Sequence, residues 1–316
     1  MLYHYGTEFR TDDIGEVFLS NQLSPEYPDT GRATLSVIMP AKNEAESLKG
    51  LLTRLRATLP RTELILLDDG SSDQTAEVAR AHGANVISHP YSLGNGAAVK
   101  SGARAANGDI LVILDADGQH DPADIPRLLA KLDEGYDMVV GARSVGSQAS
   151  VGRSLANSFY NWLATLVTGH TILDLTSGFR VVRAERFKRF LYLLPNGFSY
   201  PTTITMAFFR SGYPVGYVPI HAAKRQGTSH LRPLRDGVRF LLIMFKIATL
   251  YSPLKLFFPV SAAFLVTGLG YYLYTFLSMG RFTNMSALLF TAAIVVFMMG
   301  LISEQITALN YRDGDR

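Results

Sequence analysis

No cysteine occurs in the 316 residues. This excludes disulfides, thiol nucleophiles and thiolate metal sites together, and leaves stability to a hydrophobic core, for which a chain of this length is sufficient. A dominant charge is also missing. Lys and Arg number 30 against 27 Asp and Glu, a formal net charge of +3, which gives no reason to expect nucleic acid as a partner. The first residues have no apolar stretch of the signal-peptide kind, since Asp12, Asp13 and Glu16 stand where it would lie. With Pro25 and Pro28, residues 1–32 read as a polar N-terminal extension. No internal repeat or low-complexity tract is visible.

Charge is absent again, more tellingly, from Leu256 to Ser278 and from Asn284 to Ser303. Each run is about long enough to cross a bilayer as a helix, and only Met279 to Thr283 separates them. The expectation is a transmembrane hairpin over 256–310, with spans at about 256–278 and 285–306 and a tail at 311–316. The plainer alternative is a pair of buried helices in a soluble protein. Arg232, Arg235, Arg239, Lys246 and Lys255 precede the first run, Arg312 and Arg316 follow the second, and Arg281 alone lies between. The expectation is therefore an integral membrane protein, and the asymmetry implies that its large N-terminal part lies on the cytoplasmic face. Residues 232–255 mix these basic groups with Val238, Phe240, Leu241 and Phe245, as expected of a juxtamembrane amphipathic helix; a buried core helix is the alternative.

The region between, 33–231, is patterned as α/β. Strands are expected at Leu35–Met39, Glu63–Leu67, Asn85–Ser88, Ile110–Leu114 and Met138–Val140. Helices are expected at Glu44–Thr58, Ser72–Ala81 (capped by Ser71 or Ser72), Gly96–Ala106 and Asp124–Asp133. Such alternation implies a mostly parallel sheet, which binds ligands beyond the carboxyl ends of its strands. Polar groups fall there: Lys42-Asn43-Glu44, Asp68-Asp69-Gly70-Ser71 and Asp115-Ala116-Asp117.

The last of these follows the apolar run Leu111 to Leu114, so burying the strand brings two carboxylates to its tip. Hard oxygens at that spacing, with Gln119 as a neutral third, suit Mg²⁺ or Mn²⁺, and such a cation could offset charge growing on a diphosphate leaving group. An Asp-rich surface turn is the plainer alternative. Asp69 could accept from a base or a ribose, or simply belong to a strand–turn–helix junction. The small residues Gly94 to Ala98 could let helix N–H groups approach a phosphate or sugar, though they fit neither a Walker loop nor a dinucleotide fingerprint. His82, His89 and His120 lack metal-site spacing and read as surface or supporting residues.

In order and spacing, these segments resemble the inverting family 2 glycosyltransferases of GT-A fold. The resemblance opens on Leu35-Ser36-Val37-Ile38-Met39-Pro40-Ala41-Lys42-Asn43-Glu44 and continues through Asp68-Asp69-Gly70-Ser71 and Asp115-Ala116-Asp117-Gly118-Gln119-His120. It then takes in Gly141-Ala142-Arg143, Asp174-Leu175-Thr176-Ser177-Gly178-Phe179-Arg180 and Arg225-Gln226-Gly227-Thr228-Ser229-His230. The membrane hairpin and the stretch Gly300 to Gln305 are similar to the polyprenyl-phosphate branch, which includes dolichyl-phosphate mannose synthase and bacterial relatives with a two-helix anchor.

The resemblance implies an enzyme that transfers a sugar from a UDP- or GDP-linked donor to a polyprenyl phosphate, with inversion and with Mg²⁺ or Mn²⁺. Pro40, Lys42, Glu44, Leu67, Asp69, Asp115, Ala116, Arg225 and His230 would bind the donor. Asp115, Asp117 and Gln119 would hold the metal. Arg153, Asn157 and Ser158 would receive the acceptor phosphate. Asp117, Asp174 and Arg143 would act in catalysis, with Asp174 either orienting a substrate or capping the Ser177-Gly178 turn. A homo-oligomer, up to a tetramer, is compatible with the branch. Two departures stand out: His230 replaces a lysine common in the family, and Tyr200 to Thr203 has no carboxylate where many members carry a glutamate. The competing readings are a glycolipid or polysaccharide acceptor and a non-catalytic membrane scaffold.

Overall fold

A computed structural model describes 34–143, most of 161–221 and 251–312; 1–33, 144–157, 222–244, 313–316 and a few single positions lie outside the described residues. Seven strands form one sheet: β1 (Leu35–Ala41), β2 (Glu63–Asp68), β3 (Asn85–Ser88), β4 (Ile110–Ile113), β5 (Met138–Arg143), β6 (Arg180–Arg183) and β7 (Val215–Ile220). Their order is β3-β2-β1-β4-β6-β5-β7. All pairings are parallel except those of β6, which runs antiparallel to β4 and β5.

The near-continuous apolar strands follow from burial on both faces. Alternate residues point to opposite sides. Val37, Met39, Leu64 and Leu66 pack with Leu48, Leu52 and Leu55 of α1 (Ala45–Thr58) and with Leu128 and Leu132 of α4 (Ile125–Asp133). Ile38, Ile65 and Leu67 face the other way, toward Ala98 and Val99 of α3 (Asn95–Ala105), Phe187 of α5 (Ala184–Arg189) and Ile204 and Phe208 of α6 (Tyr200–Arg210). The short α2 (Thr75–Ala81) starts later than the sequence suggests. Ser71 and Ser72 do not cap it; the Ser71 hydroxyl accepts from the Asn43 N–H at 2.9 Å and the Ser72 N–H donates to Asn43 Oδ1 at 2.8 Å. Asn43 takes a φ of 56°, which its short amide tolerates.

Toward the C-terminus lie two long helices, α7 (Pro253–Met279) and α8 (Asn284–Arg312), packed together. They are not core helices of a soluble fold. Only 11% and 17% of their most apolar stretches are buried, and Val266, Leu269, Leu277, Ile294 and Ile302 point outward. Gly280, in the left-handed conformation, ends α7. Between the helices the Ser261 hydroxyl donates to the Ala293 carbonyl at 2.8 Å, and Gly268 and Gly300 allow Leu289, Phe290 and Phe257 to approach closely. Most of the expected juxtamembrane helix, 232–255, lies outside the described residues.

Candidate active site

The sheet reverses its order at β1, with β2 on one side and β4 on the other, and the crevice at such a switch point is where an open sheet binds ligands. The ends of β1, β2, β4 and β5 converge there. Because β6 is antiparallel, the turn that feeds it, Asp174 to Gly178, arrives at this same edge.

Beyond β4, the Leu114 N–H still donates to the Ile38 carbonyl and the Ala116 N–H to that of Pro40, at 3.2 and 3.4 Å. Ala116 is buried, and its carbonyl accepts from the Ser47 hydroxyl at 2.9 Å. Asp115 and Asp117 flank it, half-buried. Asp117 Oδ1 accepts from the Gln119 N–H at 3.1 Å, across Gly118 with its φ of 73°. Asn95 Nδ2 donates to Asp115 Oδ1 at 3.3 Å, while Asn95 Oδ1 is buried without a partner. Among the described residues no group of three or more His, Cys, Asp or Glu could hold a metal. Two carboxylates and an amide oxygen nevertheless fit Mg²⁺ or Mn²⁺, which take the rest of their octahedron from water and phosphate.

Gly178 closes this corner. A Cβ there would lie 2.7 Å from Asp115 Oδ2. Gly178→Ala should therefore displace the Asp115 carboxylate and lower turnover by roughly tenfold or more, with a smaller effect on the unfolding midpoint; steady-state kinetics beside thermal unfolding would measure the split.

Arg143, at the end of β5, grips Asp174 with two prongs: Nε to Oδ2 at 2.7 Å and Nη2 to Oδ1 at 3.0 Å. Its Nη2 also donates to the Thr176 hydroxyl at 2.7 Å. Asp174 is 2% exposed and accepts as well from the N–H groups of Arg143, Thr176 and Ser177. Burial alone would raise its pKa; the Arg143 guanidinium and these N–H groups outweigh it and hold the carboxyl below the usual range. Asp174 therefore both caps the turn and aims Arg143, and it is a poor proton acceptor.

Sequence reasoning missed the supports of this turn. The Asn161 amide brackets Asp174, donating to the Leu173 carbonyl at 2.7 Å and accepting from the Leu175 N–H at 3.1 Å. From beneath, the fully buried Arg180 donates to the carbonyls of Ser177 and Leu175 at 2.8 and 3.3 Å, and to the Thr205 hydroxyl on α6 at 2.6 Å. The sequence carried no periodic signal for either. Arg180 is the last residue of the Asp174–Arg180 segment, the one signal that could have drawn attention to it, and nothing in the sequence marks Asn161.

On the β2 side, Asp69 is committed to the protein. It accepts from His89 Nδ1 at 2.8 Å, the Ser92 hydroxyl at 2.7 Å and the N–H groups of Leu93 and Gly94 at 2.8 and 2.9 Å. Burial opposes its charge, but these donors bring its pKa down to about 2. A carboxyl with its folded pKa below the unfolded value of about 3.9 stabilises fully above that value and loses the contribution as pH falls toward the folded one. The wild-type midpoint should thus drop between about pH 4 and about pH 2, and Asp69→Asn should flatten this segment while lowering the midpoint at neutral pH. A thermal-unfolding series against pH measures both.

The small residues after Ser92 pack closely against a neighbouring backbone. A Cβ at Gly96 would lie 2.1 Å from the Pro195 carbonyl oxygen, one at Gly94 2.5 Å from that of Asn196, and the Ala97 N–H donates to Asn196 at 3.1 Å. These glycines admit a neighbouring loop, and the N–H groups of Leu93, Gly94 and Ala97 are bonded within the protein. Of the two readings open for His89 and His120, the supporting one holds: the His89 side chain is 8% exposed against Asp69, and the buried His120 stacks on Phe179 with centroids 5.2 Å apart.

Of the remaining expected donor residues, Lys42 is exposed and Glu44 half-exposed at the crevice mouth, whereas Pro40 and Leu67 are buried. Leu67 packs against Gly102, so its side chain belongs to the core. Ser158 is exposed and helical. Arg153, Asn157, Arg225 and His230 lie outside the described residues.

Comparison with known proteins matches this architecture at both ends. Residues 36–191 fit the family model Glycosyl transferase family 2, and residues 252–309 fit the GtrB C-terminal hairpin. An undecaprenyl-phosphate 4-deoxy-4-formamido-L-arabinose transferase of Klebsiella pneumoniae is 40% identical over 167 residues, covering 50% of each chain. A protein of the same name from Salmonella paratyphi A is 32% identical over 244 residues, covering 70% of this chain and 69% of its own. The chain thus spans between about half and two thirds of the length of these curated relatives. Among solved structures, Mycobacterium tuberculosis glucosyl-3-phosphoglycerate synthase in complex with Mn²⁺ and UDP-glucose superposes with a TM-score of 0.55 at 26% identity, covering 68% of this chain and 79% of that one. With the sheet, the Asp-x-Asp tip and the apolar hairpin in place, the chain belongs to glycosyl transferase family 2 and is a membrane protein bearing the GtrB C-terminal hairpin.

Proposed function

We propose that this protein is a metal-dependent glycosyltransferase that moves a sugar from a UDP-linked donor to a polyprenyl phosphate, with inversion at the anomeric carbon. The observation that carries it is the joining, in one chain, of the Asp115-Ala116-Asp117 tip, near enough for Asp115 to favour the Arg143 charge, to an apolar hairpin. The names of the relatives support an undecaprenyl-phosphate acceptor, and the structural neighbour's Mn²⁺ and UDP-glucose support the donor and metal class.

Asp115, Asp117 and Gln119 would hold Mg²⁺ or Mn²⁺, which supplies charge neutralisation to the diphosphate. Arg143 keeps its charge despite burial because Asp174 bonds it, and from there it stabilises negative charge on the leaving group. Pro40, Lys42, Glu44 and Ala116 frame the donor, and Asp69 shapes that pocket through the 92–94 loop. The acceptor phosphate is already anionic, so no strong base is needed, in keeping with the commitment of Asp174 to Arg143. Positioning supplies the rest, with Arg153, Asn157 and Ser158 on the acceptor and Arg225 and His230 on the donor. The basic residues flanking the hairpin favour the cytoplasmic face. The exposed apolar faces of α7 and α8 leave room for a homo-oligomer.

The test is transfer from a panel of UDP- and GDP-sugars to undecaprenyl phosphate by purified protein, with Mg²⁺, Mn²⁺ or chelator. Metal-dependent appearance of sugar in the lipid fraction supports the proposal. Transfer to a glycolipid or polysaccharide alone would overturn the acceptor, and failure to bind UDP in the presence of Mn²⁺ would overturn the enzyme.

A further inference from the structure

Glu304 is the first charged residue of α8, after an uncharged run that begins at Asn284. An ionisable side chain so placed in a membrane helix calls for a partner, and Glu304 has two, on different elements. Oε1 accepts from Arg210 Nη2 at 3.2 Å, and Oε2 accepts from the Leu254 N–H at 3.2 Å. Arg210 is the last residue of α6, in the catalytic domain. Leu254 lies in the first turn of α7, where N–H groups have no partner within the helix and a negative charge is favoured.

Further bonds surround this pair. The Arg210 guanidinium lies 5.9 Å from the Tyr251 ring centroid, and the Tyr251 hydroxyl donates to the Thr168 carbonyl at 3.4 Å. One turn beyond Glu304, the Thr307 hydroxyl donates to the Thr249 carbonyl at 3.2 Å. Two catalytic-domain segments thus meet the hairpin here: α6, and the helical residues ending at Thr168. These same segments support the Asp174 turn at their other positions, through Thr205 beneath Arg180 and through Asn161 beside Asp174.

We propose that the Glu304–Arg210–Leu254 junction is an orienting joint, which fixes how the catalytic domain stands on its membrane hairpin and so presents the acceptor side of the site to a lipid-borne phosphate. A flexible tether would hold the domain at the membrane without such a contact. A partly buried ion pair adds little net stability, because desolvation offsets its attraction, but its geometry is directional. Glu304 and Arg210 are therefore positioning residues. The functional half of this inference rests on the lipid-phosphate reading above; the orienting half does not.

The absence of cysteine makes the orientation measurable. Spin labels on Tyr192→Cys and Phe258→Cys, both exposed positions, report the distance between catalytic domain and hairpin. One narrow distribution is expected in the otherwise unaltered protein, a broad one with Glu304→Gln or Arg210→Gln, and a narrow one with Arg210→Lys, which keeps a cation facing Glu304. An unchanged distribution with Glu304→Gln would overturn the joint whatever the substrate is. In parallel, Glu304→Gln should lower kcat/KM by about tenfold for undecaprenyl phosphate in proteoliposomes. Turnover of geranyl phosphate in detergent and UDP binding with Mn²⁺ should change less than about twofold. Equal loss on both acceptors, or none on either, would overturn the orienting role. If the unaltered protein uses neither acceptor, the acceptor reading fails and the distance measurement alone decides the joint.

Discussion

Asp117→Asn should lower kcat by on the order of 10³-fold while leaving the protein folded, the scale expected when charge stabilisation of a leaving group is lost. The substituted side chain has the same shape, and its amide oxygen can still accept from the Gln119 N–H, the contact that Asp117 Oδ1 makes now. What disappears is half the carboxylate charge of a set that has only Asp115 besides. The deficit should therefore appear in metal dependence, with activity calling for much more Mn²⁺ and UDP affinity rising less steeply with added metal. Retained turnover at unchanged metal concentration would remove the Asp-x-Asp tip from the mechanism.

Arg143→Ala should reduce both activity and stability, and the two losses have separable signatures. Activity should fall by roughly 10²–10³-fold if the guanidinium faces the developing diphosphate charge. Stability should fall by about 3 kcal/mol, because Asp174 is left buried without its cation. Without Arg143 the side-chain bonds and charge that favour ionisation are gone, and the Asp174 pKa rises, with the N–H groups of Thr176 and Ser177 still opposing burial. In the unaltered protein the carboxyl is depressed, so its contribution is present above the unfolded value of about 3.9 and lost below it. In the variant the rise in pKa removes that contribution, so the loss is felt as pH rises above about 4. The gap in unfolding midpoint should thus be widest near neutrality and narrow toward acid. Arg143→Lys should restore part of the stability but little of the rate, since an ammonium cannot reproduce the two-pronged bond to Asp174 together with the bond to Thr176.

Local pattern was enough for much of this molecule. Apolar runs specified β1, β2 and β4 because parallel strands buried on both faces have no polar side. The same logic placed Asp115 and Asp117 at a strand tip, and the absence of charge marked both hairpin helices, since a bilayer core accepts almost none. Strands β6 and β7 were not legible. Arg180-Val181-Val182-Arg183 is too short and too charged at its ends to read as a strand, and β5 extends through Gly141 and Ala142 to Arg143 because β7 pairs along it.

The site divides along the same line. The sequence by itself determined which groups stand at the ends of parallel strands and that a membrane hairpin follows, because those facts depend on residue type and near-neighbour spacing. Only the tertiary structure decided what each group is bonded to. It committed Asp174 to Arg143, Asp69 to the 92–94 loop, Gly94 and Gly96 to a neighbouring backbone and Glu304 to Arg210. Arg210 and Glu304 lie 94 positions apart, and contacts of that separation leave no periodic trace, because they arise only when the sheet and the hairpin pack into one body.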